Sequence, residues 1–347
     1  MAYTAIDDPE AYFQVKTYTG TGSAASITLD GDTDMQPDFV WIKIRSTTNQ
    51  HRLLDSIRGS TNELYSDLTS KEETTAQGLT AFDSDGFSLG TDHGFNKDTE
   101  TFVAWCWKAN GSGSANTDGS INSTVSVNTT AGFSIVKWTG DGSTGATVGH
   151  GLGVVPKMII MKNLTESSRH WQIYHESIGN THYFQFDTNA KLDDAGCFDD
   201  TSPTSSVFTL GSANRGNEDT KSFIAYCFAE KQGYSKIGSY TGNNSTDGTF
   251  VYTGFRPAWV LLKISLGTTG SWALFDSKRD VDNPVDKRLF PDSGGAEDPG
   301  NDCDLLSNGF KHRTTGSGTN GDGYSYTYMA FAEAPFVNSN GVPCNAR

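Results

Sequence analysis

Two short segments come closest to catalytic chemistry: Asp55-Ser56-Ile57-Arg58 and Asp276-Ser277-Lys278-Arg279. A serine beside a carboxylate supplies a nucleophile, but catalysis also needs a base held against the hydroxyl. The seven histidines, His51, His93, His150, His170, His175, His182 and His312, show neither an H-E-x-x-H spacing nor a recurring pairing with cysteine. The D-S-x-R pattern therefore reads as an Asp–Arg pair that pins a loop, with a ligand-facing rim as its functional alternative.

Asp30, Asp32 and Asp34 alternate, which offers three carboxylates to a Ca²⁺ ion. An EF-hand would place Gly sixth and Glu twelfth, where Met35 and Trp41 stand. A solvated acidic turn is the expectation there, and for the looser set Asp298, Asp302 and Asp304; a divalent cation in a lectin-like loop is the alternative. No other cofactor is expected. Gly140, Gly142 and Gly145 spell G-x-G-x-x-G, but a nucleotide site wants a helix next, and ATVGHGLGVVPK has no helical period. A hairpin loop is expected. Seven tryptophans could stack on sugar rings. Most lie in strand-like runs. Trp171 and Trp272 follow the polar loops Ser167-Ser168 and Thr268-Thr269-Gly270-Ser271, which makes them the candidate glycan contacts.

Cys106, Cys197, Cys227, Cys303 and Cys344 are odd in number and lack C-x-x-C spacing, which argues against a disulfide framework or a structural zinc. Cys106 and Cys227 sit in aromatic runs and read as buried small hydrophobes. Lys+Arg 26 against Asp+Glu 41 gives a net charge of −15, which repels phosphate and argues against nucleic acid. No apolar run reaches membrane-span length. Met1 to Glu10 has no apolar core, so no signal peptide is expected and synthesis is assigned to a cytoplasm.

The elements that must position these residues come from a repeat. Phe87 to Ala109, FSLGTDHGFNKDTETFVAWCWKA, aligns without a gap to Phe208 to Glu230, FTLGSANRGNEDTKSFIAYCFAE; Tyr326 to Glu333, YTYMAFAE, is a third copy of the end. Upstream, FQVKTYTG, FSIVKWTG and SKIGSYTG start at Phe13, Phe133 and Ser235. PDFVWIK, PKMIIMK and PAWVLLK follow from Pro37, Pro156 and Pro257. Gly 38, frequent Asn-Gly and Asp-Gly turns, and short alternating runs between them predict an all-β chain. A unit near 100 residues is domain-sized, so the expectation is three tandem antiparallel β-sandwich domains of jelly-roll or concanavalin-like type, each with its own core. The boundaries are 1–109 with a short N-terminal docking segment (Met1 to Tyr12), a Gly/Ser/Asn linker or extended strand at 110–131, 132–232, 233–338, and a tail at 339–347. In Thr101 to Lys108, Val103, Trp105 and Trp107 point one way and Phe102, Ala104 and Cys106 the other; both faces are apolar, so the strand is expected to be covered on both sides. Short helical turns are expected at Ser70 to Gln77 and at Asp282 to Leu289.

The opening MAYTAIDDPEAYFQVKTYTGTG, PDFVWIK, DSIRG, DSDGFSLG and FVAWCWKA resemble a repeat domain of marine bacteriophages, found in structural proteins of cyanophages and related podo- and myoviruses. The likeness is closest over the first repeat and weakens along the chain. It implies a concanavalin- or SPRY-like sandwich on the virion surface and no catalytic residues. The resulting expectation is a non-enzymatic virion surface protein, in a tail fibre, tail tip or head decoration, that contacts the host or other virion proteins without membrane insertion. A homo-oligomer, most simply a trimer, is expected. A lectin-like module binding host-surface polysaccharide is the alternative, and a host-glycan-degrading enzyme the third reading.

Overall fold

The computed structural model describes residues 3–188, 191–193, 196–211 and 214–344. Antiparallel strands dominate it; the helices among the described residues are single turns, His93–Asn96 and Ser317–Asn320, with 3₁₀ turns at Pro9–Ala11 and Glu176–Ile178. The two expected helical turns are not helical. Glu73–Thr74 pairs with Asn62–Glu63, and the Tyr65 hydroxyl bridges Glu63 and Glu73 across that pair. Val285–Arg288 is a strand, because Pro284 removes a helix donor and Val285 is needed in the core.

All three repeats build one sheet in the same strand order. In the first it is Phe13–Thr19, Thr101–Trp107, Phe39–Ile44 and Arg52–Asp55; in the third, Ser235–Thr241, Ser325–Pro335, Phe255–Leu266 and Ala273–Asp276. In the second, Phe133–Thr139, Ser222–Phe228, Met158–Asn163 and Gln172–His175 form the middle of an eight-stranded sheet. One edge of that sheet is extended by Ser114–Asn116 and Ser123–Asn128. The polar 110–131 stretch thus supplies strands, and Ile121 and Val125 are its buried anchors.

The period-2 alternation decides where each face goes. Phe102, Ala104 and Cys106 join Val40, Ile42, Phe87 and Leu89 in a core closed by the smaller sheet of the first repeat. The second and third repeats close matching cores around Phe223, Ala225, Cys227 and Phe208, and around Tyr326, Ala330, Val260 and Phe310. The opposite faces all meet in one further core: Phe39, Trp41, Trp105 and Trp107 from the first repeat, Ile160, Tyr226 and Phe228 from the second, Trp259, Leu261, Met329 and Phe331 from the third. Trp107 stacks on Phe39 and meets Phe228 and Trp259 edge-on. The both-sided strand is covered as expected, and its second cover is the other two repeats.

Candidate functional site

The D-S-x-R segments lie at the seams of this central core. Asp55 Oδ1 accepts from the Ile57 and Arg58 amides, and its Oδ2 accepts from Arg58 Nε at 2.5 Å. Arg58 also donates to the Leu53 and Asn62 carbonyls and to Glu72. Both side chains of the pair are fully buried. The pair pins its loop, as read from the sequence, but it faces no solvent, so the rim alternative is overturned. Its remaining partner belongs to the second repeat: Tyr226 donates its hydroxyl to Asp55 Oδ2 at 2.8 Å. Burial, opposed by Arg58, drives that phenol well above its ordinary pKa.

The third repeat copies this onto the first. Arg279 Nε donates to Asp276 Oδ2 at 2.6 Å and its Nη1 to Glu297, while Trp105 Nε1 donates to the same Asp276 oxygen at 2.9 Å. Glu72 and Glu297 also hold equivalent backbone bonds, to the Leu164 and Arg45 carbonyls of the neighbouring repeat. The second repeat has His175 in the aspartate's place: Met158 pairs with His175 as Phe39 pairs with Asp55. The third repeat's counterpart of Tyr226 and Trp105 is Met329, which has no donor. His175 Nε2 donates instead to the Tyr328 carbonyl, and Nδ1 accepts from the Ser177 amide. The cycle closes: first repeat to second, second to third, third to first.

Trp171 and Trp272 are part of this construction, which corrects their reading as surface glycan contacts. They are 0% and 1% exposed. Trp171 Nε1 donates to the Tyr65 carbonyl of the first repeat, and Trp272 Nε1 to the Gln185 carbonyl of the second. The polar loops before them pass over the seams without lifting the indoles out. His51 holds the matching place in the first repeat, accepts from Trp41 Nε1 at 2.9 Å and meets the Phe290 backbone of the third. Above this layer Lys43, Lys162 and Lys263 occupy equivalent strand positions, opposite Val103, Ile224 and Thr327, and donate to the carbonyls of Ile44, Arg169 and Gly270. Burial lowers each ammonium to about 8, with Asp67, Asp187 and Asp292 opposing the shift in turn.

The other candidates are separate. Asp30 pairs with Lys16 at 2.5 Å, and Asp32 and Asp34 are exposed. No group of three His, Cys, Asp or Glu that could hold a metal ion occurs among the described residues, so the three aspartates do not converge into a Ca²⁺ cage. Asp298 and Asp304 pair with Arg288 and Arg313; the side chain of Asp302 lies outside the described residues. Ser56 Oγ donates to the Gly111 carbonyl and also lies within hydrogen-bond reach of the Asp38 carboxylate. Burial pushes the Cys106 and Cys227 thiols up. The Gly140–Gly145 loop runs into the strand Ala146–Gly149, not a helix.

That loop shows what the sequence reading missed. Asn217 Oδ1 accepts from the Asp141 amide, as Asn96 does from Thr21 and Asn320 from Asn243. All three asparagines are buried. Asn320 escaped notice because the third repeat diverges around it. Counting six residues back from Phe102, Phe223 and Tyr326 finds all three.

The residues from Tyr3 to Tyr12 are held by their own chain: Thr4 bonds the Gln232 carbonyl, Asp7 accepts from Ser339, and Ile6 is buried in the central core. Met1 and Ala2 lie outside the described residues. Beside this segment is a cleft of about 350 Å³ that includes Tyr3, Gln232, Lys236, Tyr252 and Phe336 in its lining. Tyr3 is 58% and Tyr252 60% exposed.

No helix among the described residues is long and apolar enough to cross a membrane. Neither a curated protein nor a solved structure matches the chain. A family model does match, and it takes residues 8–335, all three repeats together, as one unit. The chain belongs to the family described as a domain of unknown function, DUF7483.

Proposed function

We propose that this protein is a non-enzymatic structural module of a bacteriophage surface, three tandem antiparallel sandwich domains of jelly-roll or concanavalin-like type fused around a shared core. It contacts other virion proteins or the host from a tail fibre, tail tip or head decoration, and it is made in the host cytoplasm. One observation carries the non-enzymatic part. The D-S-x-R pairs that recur between repeats, Asp55 with Arg58 and Asp276 with Arg279, are buried and spent on joining repeats. The sequence resemblance supports the particle part. Mass spectrometry of purified particles tests it: the reading requires the protein among the structural components and fails if the protein is present in infected cells but absent from particles.

The lectin reading keeps one specific observation, now at a different place. Tyr3 and Tyr252 expose their rings beside the amide of Gln232 and the ammonium of Lys236, the mix of flat apolar faces and polar groups that suits a neutral sugar. A glycan array scores it. Binding lost in Tyr252→Ala supports the site, and binding unchanged by that substitution removes it.

A further inference from the structure

A trimer of separate subunits makes one interface three times around an axis. Here one chain makes it three times by itself, through Asp55 with Tyr226, His175 with the Tyr328 carbonyl, and Asp276 with Trp105. Among the described residues each repeat is thus joined to both others, and the ring is closed.

At one end of the ring each repeat carries the same turn. Its closing bond runs from Glu100 N to the Lys97 carbonyl, from Lys221 N to Glu218, and from Tyr324 N to Gly321. The second residue of the turn is an exposed aspartate every time: Asp98, Asp219, Asp322. The asparagine two residues earlier has a structural task in all three repeats. The aspartate carboxylates make no hydrogen bond or ion pair among the described residues. The chain thus repeats an anionic group three times around its axis without using it internally, on a protein whose net charge is −15.

We infer that one copy of this chain sits on a threefold axis of a protein assembly, with Asp98, Asp219 and Asp322 each facing a cationic side chain on one of three identical partner subunits. Complementary charge fixes orientation and register in such a contact. The inference rests on the particle-surface reading above.

The test has three arms. Native mass spectrometry of the free protein should give a single chain of 37.4 kDa; a stable trimer overturns the inference. A cryo-electron map of the particle should place one chain on a threefold axis of its neighbour. One copy off axis, or three copies around the axis, overturns this inference alone, whereas absence of the protein from particles overturns the particle reading and this one with it. The triple variant Asp98→Asn/Asp219→Asn/Asp322→Asn should keep its melting temperature and lose at least about tenfold in particle occupancy, as expected for three charge contacts removed together. Wild-type occupancy of that variant overturns the assigned face.

Discussion

His175 stands where the other repeats place an aspartate, and it makes one seam sensitive to pH. Burial lowers its pKa from 6.5 to about 4. The unfolded chain takes up this proton near 6.5 and the folded protein only near 4, so stability falls as pH drops through that window and stops falling below it. Between pH 7 and 5 the loss from this group is about 2 kcal/mol. Asp67 works in the opposite sense: burial raises it to about 6, so the folded state holds a proton that the unfolded one releases nearer 3.8. Its contribution grows as pH falls from 6 towards 3.8 and offsets part of the loss. Urea titrations at pH 7 and pH 5 separate the two, because His175→Gln should flatten the wild-type slope by about 2 kcal/mol; an unchanged slope removes His175 as its source. At the neighbouring seam Arg58→Leu strands a buried carboxylate and should cost about 3–5 kcal/mol. Tyr226→Phe, which leaves Arg58 in place, should cost about 1–3 kcal/mol. Equal losses from the two would mean that the ion pair is dispensable.

The recurring turn shows how local structure is set. Its third residue has a positive φ in all three repeats: Thr99 at 65°, Thr220 at 65° and Gly323 at 69°. That backbone suits glycine, and a β-branched residue is strained in it by roughly 1–3 kcal/mol. The turn is nevertheless fixed, since the Thr99, Thr220 and Gly323 amides bond the carbonyls of Gly20, Gly140 and Gly242. Thr99→Gly and Thr220→Gly should each raise stability by about 1 kcal/mol, read as a higher urea midpoint at constant m-value; a lower midpoint would show that the threonine hydroxyls, which bond Asp98 and Asp219 carbonyls, outweigh the strain. The strands, the repeats and the double-faced Thr101–Trp107 strand were legible because alternation and turn residues are local signals. What covers each inner face was not, because that depends on repeats far apart in sequence. Trp171 and Trp272 misled for this reason: their flanking loops are polar, but the indoles point into a seam that only the assembled ring creates. The 110–131 stretch is polar overall, and only its spaced Ile121 and Val125 marked a strand side.

At the scale of the whole molecule the shared core governs how the protein unfolds. Three autonomous domains on a string would melt independently. Here an isolated second repeat would turn Phe133, Met158, Ile160, Tyr226 and Phe228 out of the central core into water. Exposing side chains of that size costs about 1.5–3 kcal/mol each, and the sum rivals the entire stability of a small domain, roughly 5–15 kcal/mol. Residues 132–232 expressed alone should therefore aggregate or remain unfolded, and the full chain should melt in one calorimetric transition whose van't Hoff and calorimetric enthalpies agree. A seam substitution extends the argument, because Arg279→Leu loosens the third repeat's loop where its Asp276 meets Trp105 of the first and leaves the other two seams intact. In a cooperative ring it lowers the single transition as a whole. Two resolved transitions in that variant, or a folded and soluble 132–232 fragment, would mean that the repeats are independent and the ring is only a way of docking them.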